Sequence, residues 1–198
     1  MAKKIDTISM DEYLQGELNS QVKHELINGD VYAMAGASAN HERISGNIYA
    51  EFRNHLRSLP CEPFGSDMKV KVDSNFFYPD VIVDCQFDES QPYYTETPVI
   101  IVEVLSKSTR RTDETIKRIA YLNIPGLQEY VLIEQDFVDI EVVRRTENWQ
   151  SKHYFLGDEI SFESIALSLS VEEIYQRVHN EDVLDFIKQK TEQEENSL

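Results

Sequence analysis

The sequence predicts an α/β or α+β sandwich built around a mixed β-sheet. Three observations carry that reading. Two short apolar runs, Val81-Ile82-Val83 and Val99-Ile100-Ile101-Val102 continued by Val104-Leu105, read as central strands. A helical stretch, 109 to 122, separates the second run from a third at Glu129 to Ile133, as a right-handed crossover between parallel strands does. Along the chain the order is helix, hairpin, long helix, several strands, helix, strands.

Each element has its own signal. Ser9-x-x-Glu12 is a capping box that starts a helix from Met10 to about Leu18. His24 to Met34 is apolar on both sides of Asn28-Gly29, the signature of a type I′ hairpin. Ser38 caps a long helix to about Leu59, with Ile44, Ile48, Phe52, Leu56 and Leu59 on its inner face and Pro60 ending it. Met68 to Val72 alternates like a half-exposed strand. Asp80 to Asp84 and Val99 to Leu105 are the central strands, joined by the polar stretch Gln86 to Pro98. Thr109 to Leu122 is predicted helical with Ile116, Ile119 and Ala120 as its apolar face, and Asn123-Ile124-Pro125-Gly126 stops it. Glu129 to Ile133 and Val138 to Val143 pair across Glu134-Gln135-Asp136. His153 to Leu156 and Ile160 to Leu169 read as further strands or edges, and Ser170 caps a short helix through Tyr175. Residues 1–179 are expected to form a single domain. Residues 180–198 are expected to be an acidic tail, helical to about Lys190 and frayed beyond.

The bulk composition narrows the function classes. The chain has 198 residues and 41% hydrophobic content, enough for one domain with a real core. No apolar leader follows Met1-Ala2-Lys3-Lys4 and no run approaches a spanning helix, so a soluble, cytoplasmic protein without membrane contact is expected. Cys61 and Cys85 lie far apart without CxxC spacing, which argues against a disulfide framework or a zinc knuckle. Lys plus Arg is 19 against 36 Asp plus Glu, a net charge of -17. Phosphate backbones reward basic surface, so the chain as a whole is a poor nonspecific nucleic-acid binder. The segment 105–118 is the local exception, with Lys107, Arg110, Arg111, Lys117 and Arg118 against Asp113 and Glu114.

The chemistry concentrates between residues 79 and 121. Asp80 opens one buried strand and Glu103 sits inside another. A carboxylate in an apolar strand is costly unless it is paired or binds a cation. Two such groups on neighbouring strands suit a hard divalent cation, Mg²⁺ or Mn²⁺, with the backbone carbonyl of Val104 as a third oxygen. Such an ion activates water and neutralises phosphate charge. A nearby lysine, Lys107 or Lys117, can stabilise developing negative charge. Asp113 lies four residues before Lys117 and can hold it in place. Ser106 and Thr109, with Lys107, Arg110 and Arg111, are the candidate phosphate contacts at the helix start. The alternative for Ser106 and Thr109 is simple capping. Glu25 is either an inward site carboxylate or part of a solvated strand face. His41 either contacts metal-bound water or phosphate, or bonds the preceding loop.

This ordered series resembles the PD-(D/E)XK nuclease superfamily: Pro79-Asp80, then Glu103, then a lysine beyond it. It departs where that superfamily places its lysine, since Leu105 stands two residues after Glu103. A fuller string resembles the Uma-two family of restriction-endonuclease-like proteins. It runs Glu25-Leu-Ile-Asn-Gly29, Ser38-x-x-His41, Pro79-Asp80, Glu103-Val-Leu-Ser106, Ser108-Thr109-Arg110-Arg111-x-Asp113-x-x-x-Lys117, Tyr121 and Glu129-Tyr130, and covers about residues 9 to 170. The resemblance implies a restriction-endonuclease-like mixed sheet flanked by helices. It implies an endonuclease cleaving nucleic acid, with DNA the expected substrate, and Asp80, Glu103 and Lys117 as its catalytic residues. Glu25, His41 and Asp113 support them, and a homodimer is expected by analogy. Two other functions stay open: a catalytically silent module serving protein partners, and a phosphodiesterase acting on a non-duplex substrate.

Overall fold

The structure is a computed structural model that describes residues 8–107 and 109–195, with side chains to 193. Ser108 of the motif, the Met1 to Lys4 start and residues 196–198 of the expected tail lie outside the described residues. Helix α1 (Met10–Glu17) opens with the expected capping box: Ser9 Oγ accepts from the Glu12 amide, and the Glu12 carboxylate accepts from the Ser9 amide. Strands β1 (His24–Ile27) and β2 (Asp30–Ala33) form the hairpin. Its turn residues have φ of 53° at Asn28 and 85° at Gly29, the positive pair that a type I′ turn needs. Helix α2 (Ala39–His55) is capped by Ser38.

Strands β3 (Glu62–Gly65), β4 (Lys69–Val72), β5 (Asn75–Phe77), β6 (Val81–Asp84), β7 (Tyr94–Thr95) and β8 (Pro98–Leu105) follow. Then come α3 (Arg110–Thr112), a π-helical turn (Asp113–Lys117) and α4 (Arg118–Leu122). The chain continues through β9 (Glu129–Glu134), β10 (Ile140–Arg144), β11 (Ser151–Tyr154), β12 (Glu159–Phe162) and β13 (Leu167–Ser170). It closes with α5 (Val171–Ile174) and α6 (Glu181–Glu195).

Six strands form the main sheet in the order β11-β10-β9-β8-β6-β3, five form a second sheet in the order β2-β1-β5-β4-β7, and β12 and β13 pair alone. Within the main sheet β8 and β9 are parallel and the other neighbours antiparallel, so the 99–133 passage joins parallel strands as expected. The main sheet is buried on both faces. Ile100, Val102 and Val104 of β8 join the core that holds Ile44, Ile48 and Phe52 of α2. The alternate residues Ile101 and Leu105 join a second core with Tyr121 and with Val70, Val72 and Phe77 of the smaller sheet. Glu103 falls on this second side.

Four expectations need correction. Leu59 is 49% exposed, because the helix tightens into a 3₁₀ turn at Leu56–Ser58 and Leu59 is already extended. In the 109–122 segment Ile116 and Ile119 face outward, 45% and 68% exposed, while Asp113, Lys117 and Tyr121 are buried. The polar residues win the inner face because they face one another and Glu103 rather than an apolar core. Cys61 and Cys85 are joined by a disulfide. The β3–β6 register pairs Glu62 with Asp84 and so brings residues 24 apart in sequence face to face. Finally, α6 continues to Glu195, beyond Lys190. Its first turn is docked: Val183 is in the main core and Asp182 accepts from the Val138 amide at 2.7 Å. Among the described residues no helix is long and apolar enough to cross a membrane.

Candidate functional site

The strand pairing builds the site. Val81 pairs with Val102, and the amide of Asp80 donates to the Val102 carbonyl at 3.2 Å, so Asp80 lies beside Glu103 where the two strands meet. Asp80 Oδ2 accepts from the Val104 amide at 2.7 Å and lies 3.3 Å from His41 Nε2, at the start of α2. Among the described residues the other, buried ring nitrogen of His41 has no partner. The imidazole therefore serves Asp80 and makes no bond to the preceding loop.

From the other side comes the segment after β8. Lys117 Nζ donates to Glu103 Oε1 at 3.1 Å and lies 2.9 Å from Glu25 Oε1 and 3.0 Å from Asp113 Oδ1. The Asp113 carboxylate is steadied by Lys117 and by Thr109. Glu25 comes from β1 of the second sheet and also accepts from the Tyr78 amide at 3.0 Å. Tyr121 donates its hydroxyl to Glu103 Oε1 at 3.0 Å. Tyr130 donates to the Asp113 carbonyl at 3.1 Å. The π-helical turn spans Asp113 to Lys117, and Asp113, Lys117 and Tyr121 are buried together. Such turns are found often at functional sites.

The electrostatics follow from three carboxylates around one lysine, with Asp80 beside Glu103 and paired with His41. Burial holds the Glu103 carboxyl well above the usual range; Lys117 lowers it, and Asp113, Asp80 and Glu25 raise it further. Burial likewise raises Asp113, against the pull of Lys117. Burial opposes the charge on Lys117, but Glu103, Glu25 and Asp113 overcome it and keep the ammonium well above its ordinary range. For His41 burial also opposes charge, and the hydrogen bond and charge of Asp80 prevail, raising it. The raised Glu103 and Asp113 carboxyls show carboxyls crowded together in a buried place, a crowding that a bound cation would relieve.

The structure thus brings Asp80, Glu103, Lys117, Glu25, His41 and Asp113 together. The suggested phosphate contacts are arranged differently. Ser106 and Thr109 cap each other: the Thr109 amide donates to Ser106 Oγ at 3.2 Å, and the Ser106 amide to Thr109 Oγ1 at 3.4 Å. Arg110 is tied to Glu134 by both guanidinium nitrogens. Lys107 and Arg111 are exposed. Tyr121, present in sequence only as part of the motif string, brings its buried hydroxyl onto Glu103. The 113, 117, 121 spacing, four residues at each step, was the available signal for a shared polar face.

Comparison with known proteins shows the family. Residues 10–172 match the model of Uma2, a family described as "Putative restriction endonuclease". The chain belongs to the Uma2 family. Its relatives include "Uncharacterized protein slr1290" of Synechocystis sp., 36% identical over 85% of this chain and 91% of that protein. "Uncharacterized protein sll1609" of the same organism is 38% identical over 63% of this chain and 73% of that protein. A crystal structure from Anabaena variabilis, described as "a putative nuclease belonging to DUF820", aligns with a TM-score of 0.74 at 18% identity. The match covers 87% of this chain and 99% of that one. At that identity the likeness is one of fold, and this Uma2 chain has the restriction-endonuclease-like mixed sheet flanked by helices.

Proposed function

We propose that this Uma2 chain is a divalent-metal-dependent endonuclease that hydrolyses phosphodiester bonds of nucleic acid. The observation that carries this is the meeting of Asp80, Glu103 and Lys117 where β6 and β8 pair. Among the described residues no three His, Cys, Asp or Glu side chains are gathered to hold an ion unaided. The donor set fits a hard cation in a sparser way, as Mg²⁺ commonly binds: two carboxylates, a backbone carbonyl and water. Asp80 and Glu103 would hold Mg²⁺ or Mn²⁺, with the carbonyl of Val104 as a third ligand. The crowding of buried carboxyls around Glu103 supports this fit.

Bound there, the ion would lower the pKa of a water and neutralise charge on the phosphate. The protein's own groups do the rest. His41 and the Val104 amide hold Asp80 in one orientation. Lys117, held by Glu103, Glu25 and Asp113, would bring positive charge beside the reacting phosphate. Exposed Lys107 and Arg111 would meet the phosphate backbone. A DNA duplex calls for one copy of the chain per strand, and the edge strand β11 is where a second copy would pair.

The test is cleavage of supercoiled plasmid, single-stranded DNA and RNA in Mg²⁺ or Mn²⁺, with Asp80→Ala purified in parallel. Cleavage by the parent and not by the variant is expected. Equal cleavage by both would place the activity elsewhere, and cleavage by neither would favour a silent module.

A further inference from the structure

Glu103 is held in an uneven way. Both of its neighbouring donors, the Lys117 ammonium at 3.1 Å and the Tyr121 hydroxyl at 3.0 Å, bond the same oxygen, Oε1. Among the described residues no donor bonds the second oxygen. The hydroxyl has little freedom to choose otherwise. Tyr121 is fully buried, and its ring stands edge-on to Phe77 at 5.3 Å and to Tyr130 at 5.4 Å. A phenylalanine would fill the same space without a hydroxyl to desolvate, so packing alone does not call for tyrosine here.

Building on the metal-site reading above, we propose that Tyr121 is a positioning residue for the cation. With Lys117 it occupies Oε1 of Glu103, fixes the plane of that carboxylate and reserves Oε2 for a divalent ion. Groups that orient a ligand carboxylate matter nearly as much as the ligand itself, and losing one typically weakens metal binding about 10–100-fold.

Tyr130 supplies the matched control. Its hydroxyl is equally buried and bonded, but to the backbone carbonyl of Asp113 and to no carboxylate. The experiment is Mn²⁺ titration by calorimetry of the full chain, Tyr121→Phe, Tyr130→Phe and Asp80→Ala, with each melting temperature recorded without metal. Tyr121→Phe keeps both ring contacts and is expected to fold. We expect Tyr121→Phe to bind Mn²⁺ about 10–100-fold more weakly, Tyr130→Phe to bind like the parent, and Asp80→Ala not to bind. Parent-like affinity in Tyr121→Phe, with binding lost in Asp80→Ala, would overturn the role of Tyr121 and leave the metal site standing. Equal weakening in both tyrosine variants would also overturn it, by reducing the effect to lost packing. No Mn²⁺ binding by the parent itself would bring down the site, and this role with it.

Discussion

Two buried acid–base clusters lie along the parallel pair β8–β9, and they are built on opposite plans. At the start of β9, Glu129 is 1% exposed and accepts from Arg144 Nε, the amides of Glu163 and Ser164, and the Ser164 hydroxyl. Arg144 places three more donors on Glu147, the Tyr154 hydroxyl and the Ser161 carbonyl. One buried acid meets one buried base and every partner is bonded. Around Glu103, farther along the same strands, four carboxylates share one lysine and one histidine. Among the described residues His41 Nδ1 is left without a hydrogen-bond partner. A closed network fixes β9 to β10 and to the β12–β13 region. An open one, with more carboxyls than bases, holds itself ready for something that is not protein.

Mutation should separate the two plans. The largest effect on stability is expected at the closed cluster: Glu129→Ala strands a buried guanidinium and should cost about 3–5 kcal/mol. Chemical denaturation measures it, and added Mn²⁺ should not restore it. Lys117→Met removes the lysine from the open cluster. Without metal it should cost about 1–3 kcal/mol, Mn²⁺ should recover much of that, and cleavage should be lost. A variant that stays fully active would shift the catalytic role to Lys107 or to no lysine. Asp80→Ala should change metal-free stability by no more than about 1 kcal/mol, because relief of like-charge repulsion offsets the lost bonds to the Val104 amide and His41. It should nevertheless abolish Mn²⁺ binding in calorimetry. The smallest change is expected at the surface, where Arg111→Ala should leave the melting temperature in place and lower the salt slope of oligonucleotide binding by about 1. A large loss of stability there would mean that Arg111 shares the structural role of Arg110.

The contrast also explains what could be read in advance. Asp80 and Glu103 were legible because a carboxylate inside an apolar run stands out whatever the fold. The closed cluster was not. Arg144 ends a strand and Glu129 begins one, and in sequence each reads as a charge at an element boundary. Ile116 and Ile119 misled for a related reason. Hydrophobic periodicity assumes that the inner face of a helix meets an apolar core, and here it meets Glu103 and Glu25. Cys61 and Cys85 were separable only by distance in sequence, and the β3–β6 register cancels that distance.

The sequence by itself determined the local devices: the Ser9 and Ser38 caps, the Asn28-Gly29 turn, the two central strands and the two carboxylates placed on them. Each depends on contacts within a few residues or on a periodicity that a strand or helix imposes alone. The tertiary structure decided the partners. Glu25 arrives from another sheet, His41 from another helix, and Tyr121 turns its hydroxyl onto one chosen oxygen of Glu103. Those choices depend on packing between elements far apart in the chain, where burial makes each unpaired charge costly enough to select its neighbour.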